Sequence, residues 1–450
     1  MANKNSPVKT IQEPPREIRV RKQADVVVVG GGPAGVAAAV AAARNGAETI
    51  LMERYGHLGG LATGGLVTLL MPMSDGTQKI LIRGLCMEMV ERLDSIGAAV
   101  HPKYEDLGSN DEKTISRWHG FPFIIVEDRI RLSVLYDAEM MKCVLNDMAE
   151  ESSVSLLLHS WAGQAIADED GMKGVIFESK SGREAILAKC VIDASGDGDM
   201  FASAGAAFND KLDPDQRASK LAFVFQVSGI DMNRLTDFKK TNPKQFTEFM
   251  GELQGLGGFS MHIRTSREDT VWFNNFLPDL NGIDVEDLTW VEVNGRKRMR
   301  ITHDFFRKNI PGFEKSYILQ TASQVGVRSS RRLVGEHIVT EADCLTGTKF
   351  PDTIAICPSF RFNVSEEHPH MNIPYRALVP KKVDNLLVAG RCLSTDQAAN
   401  DLLAPIQFCI AMGQAAGTAS ALALEHGVKV RNVNPVDLQK RLKEQGVYLD

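Results

Sequence analysis

Features that mark membrane, secreted or nucleic-acid-binding proteins are missing from this sequence of 450 residues. No apolar run approaches the roughly 18 residues that a membrane-spanning helix needs. The seven cysteines form neither a C-x-x-C pair nor a tight cluster, which argues against iron–sulfur ligation and favours reduced thiols. Acidic residues outnumber Lys and Arg by 57 to 51, and no basic run stands out. We therefore expect a cytoplasmic protein with neither a membrane nor nucleic acid among its partners.

The N-terminal segment 1–22 is polar and rich in charged residues. It lacks the apolar stretch of a signal peptide. We expect it to be a flexible lead-in to the first domain.

The clearest motif follows this segment. Val26–Val29 is a β-branched run typical of a strand buried on both faces of a parallel sheet. Gly30, Gly32 and Gly35 come next, in G-x-G-x-x-G spacing, and an alanine-rich run over 36–43 predicts a helix. In this arrangement the glycines allow a tight turn, give the backbone access to a pyrophosphate and let helix and strand pack closely. The free N–H groups of the helix N-terminus would bind that pyrophosphate.

A second short strand, Thr49–Met52, ends in Glu53. An acidic residue at this distance accepts hydrogen bonds from an adenosine ribose and disfavours NADP, whose 2′-phosphate it would repel. The motif alone is compatible with NAD and with FAD. Glycines end further predicted strands at 196 and 390, so the nucleotide fold is interrupted and completed near the C-terminus. This interleaving favours FAD, because an NAD domain is usually one contiguous block.

The chain resembles the FAD-dependent oxidoreductases of the glutathione-reductase-like fold, which are related to the fumarate reductase and succinate dehydrogenase flavoproteins. The motifs that carry the resemblance are "ADVVVVGGGPAGVAAAVAAARNGAETILMER", "GGLATGG", "VIDASGDGD", "GVRSSRRLVGEHIVTEADCLTG" and "NLLVAGRC" with "GQAAGTASALA". The residues that this resemblance implies for FAD binding are Gly30, Gly32, Pro33, Ala34, Gly35, Glu53, Arg54, Gly60, Leu61, Ala62, Ala162, Ser195, Gly196, Gly390, Arg391, Gly413, Gln414, Ala415 and Ala416.

Two departures from related families narrow the chemistry. Disulfide reductases of this fold carry a cysteine pair where this chain has Ala62 and Val67. Fumarate reductase flavoproteins often attach FAD covalently to a histidine, and His57 lies out of register with that position. We therefore expect FAD to be bound without a covalent link.

The segment Gly413–Ala416 has two interpretations. Backbone N–H groups at a helix N-terminus here could face the N1 and C2=O edge of the flavin and favour its reduction. Alternatively, so many small residues could mark a tight crossing of two helices.

The predicted fold is α/β. A Rossmann-like FAD-binding domain, with a parallel sheet, helices and a β-meander hairpin, would comprise residues 23–80, 131–210 and 374–450. An α+β substrate or cap domain, comprising 81–130 and 211–373, would interrupt it.

Four residues are candidates for substrate chemistry. Arg328 could bind a substrate anion or form an interdomain salt bridge. His370 could move a proton or could be a structural histidine with its hydrogen bonds satisfied, and Arg376 lies just before the last predicted FAD strand. Asp401 could orient the substrate or cap a helix. The pair His368 and His370 has no third metal ligand nearby, so we expect no metal.

These observations predict hydride transfer between flavin N5 and a small polar organic substrate. An arginine and a histidine on one flavin face would suit a substrate with a carboxylate or several hydroxyl groups. The alternatives are an electron-transfer subunit of a larger redox complex and a flavin-binding protein without redox turnover. The sequence does not identify the electron donor or acceptor, and it leaves assembly into a homo-oligomer open.

Overall fold

The computed structural model describes residues 10–217 and 220–450. Their strands are β1 (Arg19–Val29), β2 (Thr49–Met52), β3 (Leu69–Leu70), β4 (Ala99–Val100), β5 (Ile125–Val126), β6 (Arg129–Ile130), β7 (Val134–Tyr136), β8 (Ser155–Leu157), β9 (Trp161–Asp168), β10 (Gly171–Ser179), β11 (Gly182–Asp193), β12 (Phe208–Asn209), β13 (Leu221–Ser228), β14 (His262–Arg264), β15 (Val271–Leu277), β16 (Tyr317–Thr321), β17 (Gly326–Val327), β18 (Arg332–Leu333), β19 (Thr353–Cys357), β20 (Met371–Pro374) and β21 (Leu386–Val388). Their helices are α1 (Pro33–Arg44), α2 (Leu85–Ser95), α3 (Glu112–Ser116), α4 (Ala138–Glu151), α5 (Asp199–Ser203), α6 (Met232–Thr241), α7 (Pro243–Gly255), α8 (Val285–Asn309), α9 (Glu341–Thr346), α10 (Gln397–Leu403), α11 (Ile406–His426) and α12 (Pro435–Glu444).

The largest sheet has seven strands and forms the centre of what we call the main domain. Its order is β8-β2-β1-β11-β10-β9, and β21 pairs with β11 beyond the end of β10. The pairs from β8 to β11 and the pair β11–β21 are parallel, whereas β11, β10 and β9 form an antiparallel meander. The Val26–Val29 run is buried at its centre, as its β-branched composition predicts. This confirms the predicted α/β fold with a parallel sheet and a meander.

The first strand begins earlier than the sequence indicated. Arg19 already pairs with Glu184 of β11, and Arg21 donates to the same carboxylate at 2.9 Å. The predicted lead-in over 1–22 is therefore wrong for residues 19–22, because the long strand β11 offers them a backbone partner. Residues 1–9 lie outside the described part of the chain.

Helices α1 and α11 cross each other on one face of the main sheet. Small residues allow this close approach: a Cβ at Gly413 would overlap the carbonyl oxygen of Ala34, and one at Gly417 would overlap that of Ala38. In the described residues no single helix is long and apolar enough to cross a membrane. Helices α10 and α11 meet that test only as a pair, across a bend of 93°.

A five-stranded sheet forms the second unit, which we call the cap. Its order is β14-β15-β13-β16, and β17 also pairs with β13. Helix α8 packs on this sheet over a separate apolar core, in which the rings of Phe225 and Phe273 stack at 4.6 Å. The cap therefore lies within the predicted segment 211–373.

Two segments expected in the cap pack on the main domain instead. Helix α2, within 81–130, contributes Cys86 and Val90 to the core that contains α1 and α11. Residues 339–373 do the same through Ile354 and Ile373 of the β19–β20 hairpin. Their apolar faces cover the outer side of α11, a contact that sequence order does not reveal.

Candidate functional site

The three glycines of the first turn have different surroundings. A Cβ at Gly30 would overlap the backbone of Ala194, and one at Gly35 would overlap the carbonyl oxygen of Gly30. These two glycines therefore permit close packing of strand and helix. A Cβ at Gly32 would meet nothing within 4 Å. The space beside Gly32 is thus open, directly in front of the free N–H groups of the first turn of α1.

Glu53 lies at the end of β2, where sequence reasoning expected a ribose-binding acid. Its carboxylate is buried and accepts backbone hydrogen bonds from Gly31 at 2.7 Å and from Tyr55 at 2.9 Å. Each oxygen bonds to one donor and retains capacity for another. The backbone therefore fixes this acid at the edge of the open space.

A cavity of about 690 Å³ lies at the carboxyl ends of β1, β2, β11 and β21. Ligands of open α/β sheets bind at this edge. We call it the cofactor cavity. Its lining residues are Gly30, Gly32, Pro33, Ala34, Glu53, Arg54, Tyr55, Gly60, Leu61, Ala194, Ser195, Gly196, Gln324, Ala389, Gly390, Arg391, Ala404, Ile406 and Cys409.

A smaller cavity of about 360 Å³ continues from it past Glu53. Ala162 and Ser195 line this second space, and the guanidinium of Arg54 lies 5.2 Å from the ring centroid of Trp161. A flat, partly apolar wall beside the carboxylate of Glu53 suits a nucleotide base.

The end of β11 carries a network of charged groups. Asp193 is fully buried and accepts hydrogen bonds from Ser195 and from the first residues of α5. Arg391, which follows β21, donates to Asp197 at 2.6 Å. Burial opposes the charge of Arg391, but the Asp197 carboxylate outweighs it and raises the pKa of the arginine.

The segment Gly413–Ala416 does not lie at a helix N-terminus. Helix α11 begins at Ile406, so the N–H groups of this segment lie inside the helix and bond to its own carbonyl groups. Gly413 packs on Ala34, and the side chain of Gln414 accepts from the N–H of Leu85 at 2.9 Å. The flavin-edge interpretation is therefore wrong for these residues, and the helix crossing is the correct alternative. Ile406 is the helical residue that reaches the cofactor cavity.

A third cavity, of about 780 Å³, lies between the main domain and the cap; we call it the crevice. Four residues line both it and the cofactor cavity: Leu61, Arg391, Ala404 and Ile406. The other lining residues of the crevice are Val67, Leu69, Met71, Arg217, Ala222, Val224, Asn274, Gly326, Val327, Arg328, Asn400, Asp401, Pro405 and Gln407.

Arg328 faces this crevice, and its guanidinium lies 4.3 Å from the ring centroid of Phe276. Its Nε is buried, and neither a hydrogen bond to this atom nor an ion pair to the side chain occurs among the described residues. Burial, reinforced by Arg217, lowers the pKa of Arg328 to about 10, so it stays charged at neutral pH. The alternative of an interdomain salt bridge is not what the structure shows.

Asp401 also lines the crevice, but it already has a partner. Arg217 donates from Nε to both carboxylate oxygens at 3.1 Å, and Nη2 lies 2.9 Å from Oδ1. Asp401 is the fifth residue of α10 and does not cap that helix, which Asp396 caps.

His370 and Arg376 line neither cavity. The Nε2 of His370 lies 3.1 Å from Oδ2 of Asp75, and Arg376 forms an ion pair of 3.0 Å with Asp352. The prediction that these two residues converge with Arg328 is therefore wrong. Strand β20, which separates them, pairs with β19 rather than with the main sheet.

Several lining residues were not anticipated from sequence. Arg217, Asn274 and Gln407 lie on the crevice, and Gln324 lies on the cofactor cavity. No motif marks them, because they come from the cap and from helix ends brought together only by folding. Of the residues that the resemblance implied, Gly35 and Ala62 are buried beside the cofactor cavity without lining it. In the described residues no group of three or more His, Cys, Asp or Glu could hold a metal ion.

One comparison with known proteins, a family model, identifies the family. Solved structures with a similar fold include a geranylgeranyl bacteriochlorophyll reductase-like protein from Thermoplasma acidophilum (15% identity, 94% of this chain and 83% of that chain, TM-score 0.45). Another is a p-nitrophenol 4-monooxygenase from Pseudomonas putida DLL-E4 (12% identity, 94% and 86%, TM-score 0.48). A search of curated proteins gave no match. The family model described as FAD dependent oxidoreductase matches residues 25–442. Because this match runs from the first strand of the main sheet to the last helix, the chain belongs to the FAD-dependent oxidoreductase family of enzymes.

Proposed function

We propose that this enzyme transfers hydride between FAD and a small organic substrate held in the crevice. The observation that carries this proposal is the wall shared by the crevice and the cofactor cavity. Leu61, Arg391, Ala404 and Ile406 line both spaces, so a substrate in the crevice would lie next to a bound cofactor.

The residues of the cofactor cavity fit FAD. The open space at Gly32 suits a pyrophosphate, Glu53 retains hydrogen-bonding capacity for a ribose, and the wall beyond Arg54 and Trp161 suits an adenine. When bound, FAD supplies the two-electron chemistry, as a hydride acceptor or donor. Gln324 has a buried Nε2 without a partner among the described residues, and it would donate to a cofactor oxygen.

We further propose that FAD is held without a covalent link. His57, the histidine nearest the glycine loop in sequence, does not line the cofactor cavity. Its Nε2 lies 3.3 Å from Oγ of Ser323 instead. Acid precipitation should therefore release all of the flavin into the supernatant, and flavin retained in the protein pellet would contradict this proposal.

The residues of the crevice would bind the substrate and exclude water. Its mostly apolar walls remove solvent from the reacting carbon, which strengthens electrostatic interactions there. Among the described residues that line the crevice, Asp401 alone has a carboxylate, the side chain here that can act as a general base. We propose that it takes the proton that accompanies hydride transfer, while Arg217 holds it in position.

The test is anaerobic reduction of the purified holoenzyme by a library of organic acids and alcohols. We expect at least one compound to bleach the flavin absorbance and air to restore it. Arg328→Gln should slow this reduction strongly, whereas Arg234→Gln, the same change on an exposed residue of α6, should not. Reduction by a nicotinamide nucleotide alone, with no organic compound able to reduce the flavin or to reoxidise it without oxygen, would contradict hydride transfer between FAD and an organic substrate.

A further inference from the structure

We infer that the crevice selects a substrate with a single carboxylate on an apolar body and rejects dicarboxylates. This inference rests on the proposed function and narrows its substrate class. It decides between the two classes that an arginine beside flavin would suit, namely a carboxylate-bearing and a polyhydroxylated molecule.

Most of the positive charges that line the crevice are already paired with a carboxylate of the protein. Three arginines line the crevice: Arg217, Arg328 and Arg391. Arg217 is paired with Asp401, and Arg391 is paired with Asp197. In the described part of the chain Arg328 has no carboxylate partner, so one positive charge remains for a ligand.

One unpaired arginine favours a ligand group with a single negative charge. A carboxylate carries one negative charge and matches the planar guanidinium of Arg328 with two parallel hydrogen bonds. A phosphate monoester carries about 1.5 to 2 negative charges at neutral pH, so one arginine leaves it undercompensated. The ring of Phe276 below the guanidinium holds this arginine in one orientation.

The other polar side chains of the crevice disfavour a second carboxylate on the ligand. Asn274, Asn400 and Gln407 each have a buried side-chain oxygen without a hydrogen-bond partner among the described residues. The amide nitrogen of Asn400 already donates to the carbonyl of Arg391 at 2.5 Å, and that of Gln407 donates to the carbonyl of Met71. At Asn400 and Gln407 the free atoms are therefore acceptors. They would repel a second carboxylate and accept from a hydroxyl or amino group.

The apolar walls of the crevice favour a ligand with an apolar body. Four of the residues that line the crevice, Val67, Leu69, Val224 and Val327, present only hydrocarbon. A polyhydroxylated molecule could donate to the free acceptors, but its hydroxyls along these four side chains would lose their hydrogen bonds with water and gain none. An apolar carbon chain would be stabilised by leaving water.

The test measures binding to the oxidised holoenzyme through the change in its flavin absorbance, which requires no turnover. The probes are hexanoate, hexanedioate, hexanamide and hexyl phosphate, which share a six-carbon chain. We expect hexanoate to bind about 10- to 100-fold more tightly than the other three, the range for a charge-assisted hydrogen bond. Equal or tighter binding of hexanedioate, or no binding of hexanoate at any soluble concentration, would overturn the inference.

Two variants test whether Arg328 and Asp401 cause the preference for hexanoate. Arg328→Gln should weaken hexanoate binding about 10- to 100-fold and leave hexanamide unchanged. The control Arg234→Gln should change neither. Asp401→Asn should release Arg217 as a second positive charge, so hexanedioate should now bind at least as tightly as hexanoate. If Asp401→Asn leaves the preference unchanged, charge pairing does not set the selectivity and the inference fails.

These outcomes separate the inference from the proposed function. Selective binding without flavin reduction, and without anaerobic reoxidation of reduced flavin, by any organic compound would support the inference and contradict hydride transfer. Flavin reduction by a compound that binds equally well to Arg328→Gln would support hydride transfer and overturn the inference.

Discussion

At the scale of single residues, the first turn contains glycines that are needed for different reasons. Gly30 and Gly35 lack a Cβ because another backbone group occupies its position. At Gly32 the space that a Cβ would occupy is open, and the φ of Gly32, −68°, suits any residue. Packing and backbone conformation therefore do not require glycine at position 32, as expected if the residue is there for a ligand.

This difference predicts the effect of Gly32→Ala. The added methyl group would occupy the pyrophosphate position, and overpacking of this kind costs about 1–3 kcal/mol. We expect FAD affinity to fall about 10- to 100-fold, while the melting temperature of the apoprotein stays unchanged. Flavin titration of the apoprotein measures the first and calorimetry the second. Gly251→Ala, which also adds a methyl group in open space but on α7 of the cap, is the control.

A second prediction concerns Asp199, which lines the smaller cavity. Burial, followed by the carboxylates of Asp193 and Asp197, raises its pKa to about 6 from the ordinary value of 3.8, against the attraction of Arg331 and Arg54. The folded state therefore favours the neutral acid, and the folded protein loses stability as pH rises from about 4 to 6.

Asp199→Asn removes this pH-dependent loss. We expect the melting temperature of the variant relative to the wild type to be higher at pH 8 than at pH 4, measured on the apoprotein by calorimetry. Asp170→Asn, on an exposed aspartate of the turn between β9 and β10, should show no such difference. A difference that is the same at both pH values would mean that Asp199 titrates normally.

At the scale of elements, the crossing of α1 and α11 joins the N-terminal and C-terminal segments of the main domain. Gly413→Ala would drive a methyl group into the backbone of α1 at Ala34. We expect a loss of about 1–3 kcal/mol in the free energy of unfolding of the apoprotein, measured by urea denaturation. Gly251→Ala should instead leave stability unchanged or raise it slightly. If Gly413→Ala loses FAD while the stability of the apoprotein is unchanged, Gly413 contributes to flavin binding and not to the helix crossing.

Local sequence patterns predicted the elements whose neighbours are close in sequence. The β-branched run before Gly30, the helix after it and strand β2 all lie where their composition indicated. The pattern around Gly413 was ambiguous because small residues suit both a ligand and a helix crossing. Its position inside α11 depends on where that helix begins, and Pro405 at the N-cap sets this start.

At the scale of the whole molecule, the crevice is a product of long-range folding. Arg217, Arg328 and Asp401 come from three distant parts of the sequence, and no spacing rule connects them. Arg328 and Asp401 were anticipated because each adjoins a motif of the FAD-binding fold. His370 and Arg376 were misassigned because the β19–β20 hairpin turns them toward Asp75 and Asp352. Most of the residues expected from sequence to bind FAD thus line one cavity, whereas only two of the four substrate candidates, Arg328 and Asp401, line the crevice.

The central claim is that cofactor and substrate meet at the wall formed by Leu61, Arg391, Ala404 and Ile406. A crystal structure of the FAD-loaded protein with hexanoate tests it most directly. We predict isoalloxazine density against this wall and a carboxylate on the guanidinium of Arg328. Density for the flavin ring away from this wall, with the crevice separated from it by protein, would contradict the account.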